Sequence, residues 1–69
     1  MRYYVANSDN IPLHAQPENG YTKLQVITRV QLEIDHMCSL FGGCFSDYKD
    51  DFHILDSNFK EVHEFDNAI

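Results

Sequence analysis

Apolar residues in the middle of the chain recur at helical spacing. Leu24, Ile27, Val30, Ile34, Met37, Cys38 and Phe41 step by three or four, and at 100° per residue they fall within an arc of about 140°. Arg29, Glu33, Asp35, His36 and Ser39 lie mostly outside it. Thr22 followed by Gln25 has the capping-box pattern, with Tyr21 placed to staple against Val26. Gly42-Gly43 supplies the left-handed backbone a helix stop uses. The pattern predicts one helix over about 22–41. The β-branched run Val26-Ile27-Thr28 and a second cap pair, Thr28 with Gln31, support an alternative with a strand over 22–27 and a helix over 29–41.

The flanks read as extended runs around turn formers. Tyr3-Tyr4-Val5-Ala6 and Ile11-Pro12-Leu13-His14-Ala15 enclose Asn7-Ser8-Asp9-Asn10, which predicts a β-hairpin over about 3–15. Pro12 has no N–H to donate, so its run belongs at a sheet edge. Phe52-His53-Ile54-Leu55 and Phe59 to Phe65 enclose Asp56-Ser57-Asn58 and predict a second hairpin over about 52–65. Its register is open, with Val62 opposite either Ile54 or Leu55, and a one-residue slip would exchange the two faces. A single helix of this length does not hold itself in water. It must pack on the hairpins, giving an α+β domain spanning 1–69, in the order ββαββ and in two layers.

Composition narrows what such a domain does. No apolar run reaches the roughly 18–20 residues of a membrane span, and the first residues lack the apolar stretch of a secretory signal. A cytoplasmic protein is therefore expected, with Cys38 and Cys44 as free thiols rather than a disulfide. The chain of 69 residues has a formal charge of −6, unevenly distributed. Residues 47–69 hold seven acids against two bases, a net of −5, while residues 1–46 carry a net of −1. Phe45, Tyr48, Phe52, Phe59 and Phe65 run through or beside the acidic stretch and imply that it is folded. A negative field of this kind steers a basic partner and disfavours direct contact with nucleic acid, whose phosphates need Lys and Arg. Acids on turns that serve only solubility are the plainer alternative.

Catalytic and metal-binding patterns are absent. There is no G-x-S-x-G, no H-E-x-x-H and no glycine-rich phosphate loop. The two cysteines stand six apart, unlike the close pairs of structural zinc sites, and Asp56-Ser57-Asn58 continues with Lys60 and Glu61 where a calcium loop needs other residues. No cofactor and no metal are expected, and the chain reads as non-enzymatic.

In size and charge it resembles the small acidic inhibitors of phages and mobile elements, such as anti-CRISPR and anti-restriction proteins; the likeness covers no motif. It implies a protein partner with a basic surface, and a site in host cytosol. The residues expected to meet that partner are Asp47, Tyr48, Asp50, Asp51, Glu61 and Glu64. The alternative is a self-associating accessory domain, pairing into a homodimer through Tyr3, Tyr4 or an exposed strand edge.

Overall fold

A computed structural model describes residues 1–69. It is an α+β domain with one main helix and a three-stranded antiparallel sheet. The elements run β1 (Tyr3–Asn7), α1 (Lys23–Phe41), α2 (Phe45–Tyr48), a 3-10 turn (Lys49–Asp51), β2 (Phe52–Asp56) and β3 (Glu61–Val62). The sheet order is β1-β2-β3, so the N-terminal strand pairs with the first arm of the C-terminal hairpin.

Helix α1 is continuous, and the strand over 22–27 does not form. Both halves of the capping box are made. Thr22 Oγ1 accepts from the Gln25 N–H at 3.4 Å, and Gln25 Oε1 accepts from the Thr22 N–H at 3.0 Å. These bonds satisfy two of the donors that every helix start leaves free. At the other end Gly42, at φ 76°, returns its N–H to Cys38 O.

The buried face of α1 is Val26, Val30 and Ile34, a single row spaced by four. The arc read from the sequence is therefore rotated. Leu24 is 77% exposed and Phe41 70% exposed, while Val26 is fully buried. Leu24 and Val26 lie two residues and about 200° apart, so only one can face the sheet. The preceding residue decides which. Tyr21 is tied to Tyr3 by reciprocal backbone bonds of 2.9 and 2.7 Å and packs on the core cluster that holds Val26.

Two turns in the sequence are built the same way. In Asn7–Ile11, Asn7 Oδ1 accepts from the N–H groups of Asp9 and Ile11, and the fourth residue, Asn10, has φ 62°. In Asp56–Lys60, Asp56 Oδ1 accepts from Asn58 and Lys60, and the fourth residue, Phe59, has φ 61°. Each is a three-residue hairpin loop ending in a left-handed residue. Asparagine tolerates that conformation; phenylalanine does so at a cost. Stacking of Phe59 on Tyr4, with ring centroids 5.0 Å apart, offsets it.

The second hairpin forms with Val62 opposite Ile54 and Glu61 opposite Leu55, which settles its register. The first hairpin turns as expected but its second arm is not a strand, so the ββαββ order is corrected to three strands. Pro12 makes only an isolated bridge to Ala6. The arm makes two backbone bonds to β1, Asn7 N–H to Ile11 O at 3.0 Å and Leu13 N–H to Val5 O at 2.9 Å, and then leaves the sheet at Ala15, where φ is 60°. The Gln16 side chain takes the place of the missing strand. Its Oε1 accepts from the Val5 N–H at 2.7 Å, and its Nε2 donates to Val5 O and Leu13 O at 2.8 Å each. Arg29 holds the same loop to the helix by donating to Ala15 O, His14 O and the Tyr21 hydroxyl.

The core lies between α1 and the β1–β2 face bearing Tyr3, Val5 and Ile54. Phe65 closes it from the C-terminal side, its ring meeting Tyr3 edge-on at 4.9 Å with the Lys23 ammonium 5.6 Å from its centroid. Gln16→Ala removes the only partner of a wholly buried backbone N–H. It is expected to lower stability by about 1–3 kcal/mol, read as an earlier urea midpoint at unchanged slope.

Candidate acidic interaction surface

The six residues expected to meet a partner occupy different environments. Asp47 sits in the first turn of α2, and its Oδ2 accepts from the Cys44 N–H at 2.7 Å. Tyr48 is half-buried against the core, and its hydroxyl donates to Gly42 O. These two side chains fix the link between α1 and α2 and leave little to offer a partner. Glu64 is exposed and receives the Tyr3 hydroxyl at 3.0 Å. Asp50 and Asp51, in the 3-10 turn, are exposed and make no side-chain hydrogen bond or ion pair.

Glu61 belongs to a chain of polar contacts on the sheet face away from α1. The register puts His53, Leu55 and Glu61 on that face. Glu61 Oε1 lies 3.2 Å from His53 Nδ1 and Glu61 Oε2 lies 3.0 Å from His63 Nε2. His63 Nδ1 is in turn 3.4 Å from Asp66 Oδ2. His53 Nδ1 also faces Asn10 Oδ1 at 2.6 Å. The contacts link the first turn, β2, β3 and the C-terminal turn.

An open depression of about 420 Å³ adjoins this chain. Phe52, Ile54, Val62 and Ile69 form its apolar part, and Lys49, Asp50, His53, Glu61, His63 and Asp66 its polar part. Two of the six expected residues, Asp50 and Glu61, are thus brought together. Lys49 is engaged elsewhere, its ammonium donating to Asp66 O at 2.9 Å. His53, His63 and Asp66 were not among the expected site residues. Their signal was the period of two around the Asp56–Lys60 turn, which places His53 beside Glu61 only once the register is fixed.

No group of three His, Cys, Asp or Glu side chains is arranged to hold a metal ion. Cys38 and Cys44 are both free. Burial, then the nearby Asp35 and Asp47, pushes the Cys38 thiol up, so it stays protonated. Tyr3 is buried and Tyr4 half-buried. Tyr3 bonds Glu64, and Tyr4 donates to Glu18 O at 2.8 Å while stacking on Phe59. Both are used inside the fold. No helix is long and apolar enough to cross a membrane.

The bond to Glu64, followed by burial and the charges of Glu64 and Asp56, raises the Tyr3 phenol above its ordinary value. A raised phenol pKa means that the fold favours the protonated form. The contribution of this bond is therefore intact below about pH 10 and lost as pH rises beyond it. In an ultraviolet absorbance titration the ionisation step lost in Tyr3→Phe is expected to lie above the ordinary phenol value.

Comparison of the chain with protein-family models, with curated proteins and with solved structures finds no match.

Proposed function

We propose that this protein is a non-enzymatic inhibitor that works by covering a basic surface of another protein. The surface we have in mind is one that otherwise holds nucleic acid in a host defence complex, as with anti-CRISPR or anti-restriction proteins of phages and mobile elements. The observation that carries the reading is the pair Asp50 and Asp51. Most acids of residues 47–69 are used internally, but these two adjacent carboxylates are exposed, unpartnered and next to the depression bearing Glu61 and Asp66. Adjacent unpaired carboxylates repel each other, and a cationic partner relieves that repulsion.

A further observation supports it. The net of −5 in residues 47–69 gives a long-range field that accelerates encounter with a positively charged surface. Self-association through Tyr3 and Tyr4 draws no such support, since both rings are occupied within the fold.

The test is inhibition of DNA binding by a purified CRISPR effector or restriction complex, read by gel shift and by association kinetics. Inhibition is expected, with association slowing as salt rises. Asp50→Lys with Asp51→Lys should slow association about tenfold and flatten its salt dependence. Unchanged kinetics in this variant would remove the acidic pair from the contact surface, and no inhibition of either class of complex would reject the reading.

A further inference from the structure

We propose that the free edge of β3 is a docking site for an extended, arginine- or lysine-bearing segment of a partner protein, which adds to the sheet as a fourth strand. The proposal rests on the basic-partner reading above and specifies how that partner is held.

The two edges of this sheet are finished differently. On β1 every outward-facing backbone position is closed: Tyr3 by Tyr21, Val5 by Leu13 and the Gln16 amide, and Asn7 by Ile11. β3 is the outermost strand on the other side, and no bridge covers it. Asp56 donates to Lys60 O and Ile54 is paired with Val62, so the even-numbered positions face β2. The N–H and C=O of Glu61 and the N–H of His63 then point away from the sheet, where an added strand forms its ladder, while the His63 C=O is already taken by the Asp66 N–H at 3.2 Å.

Charge selects the occupant. Asp50, Glu61 and Asp66 with Lys49 give the adjoining depression a formal charge of −2 when its imidazoles are neutral. A short, charged edge strand is a common protection against aggregation. The same features act selectively here. A second copy would bring an equally acidic edge and be repelled, whereas a basic strand would be attracted. The apolar side chains of Ile54 and Val62 beside the edge provide contact for alternate side chains of that strand.

The test uses the full chain and a blocked peptide, Arg-Val-Arg-Val-Arg-Val, beside its fully N-methylated counterpart, which has the same charge but no backbone donors. Binding at low salt is measured by calorimetry, and amide hydrogen exchange is read at Glu61 and His63. The unmethylated peptide is expected to bind and to slow exchange at these two amides. Methylation should weaken binding about tenfold or more, as loss of one or more ladder bonds requires. Equal binding of both peptides, or binding with unchanged exchange at Glu61 and His63, would overturn edge docking and leave the acidic-surface reading in place. Binding of neither would overturn both.

Discussion

The backbone of Val5 has no access to water, and its N–H and C=O must be paired inside the protein. β2 cannot supply both sides of β1, because a strand in an antiparallel pair turns alternate residues away from its neighbour. A further strand would meet the need, yet the segment following the first turn contains Pro12 and leaves the sheet after Leu13. The Gln16 amide resolves this, since a primary amide offers the donor and acceptor of a peptide group in one side chain. With β1 closed in this way, Tyr21 can pair with Tyr3, and that contact sets where α1 begins. The rotation of the helix, and hence which residues form the core, follows from it.

The helix was legible because each of its signals is local: the Thr22 and Gln25 cap, the glycine stop and the spacing of three or four. Its buried face was less so. Leu24 belongs to the apolar arc in the sequence, but Tyr21 packs on the core with Val26, and what fixes Tyr21 there is its backbone pairing with Tyr3, a contact that spans the fold rather than one turn of helix. The same distinction runs through the sheet. Both turns could be read from Asn7 and Asp56, whose side chains bond the backbone two and four residues on. The missing fourth strand could not, because a glutamine in a Pro-containing loop has no pattern that marks it as a substitute for backbone. The site was legible as an excess of charge and illegible as geometry. Asp47 and Glu64 look like surface acids in sequence, and only the fold reveals Cys44 and Tyr3 as their partners.

Small size explains why so many polar residues are committed to structure. Nine apolar residues are buried in the whole chain, and a core this limited leaves long stretches of backbone outside regular elements. Those stretches are held by side chains that bond to main chain: Asn7, Gln16, Arg29, Asp47, Tyr48 and Asp56. Arg29 illustrates the strength of this arrangement. Partial burial works against its charge, yet the bonds to Glu33 and Tyr21 outweigh that and raise its pKa further.

A polar group already holding the backbone is a poor point of contact, because a partner would have to replace an existing bond before gaining a new one. That reasoning removes most of the acids in residues 47–69 from consideration and isolates those that have nothing to lose. Asp50 and Asp51 are one such group, and the outward N–H and C=O of Glu61 with the His63 N–H are the other, the His63 C=O being held by Asp66. Asp50, Glu61 and His63 line the same depression. The fold thus commits most carboxylates of residues 47–69 to its own structure and leaves Asp50 and Asp51 without a partner.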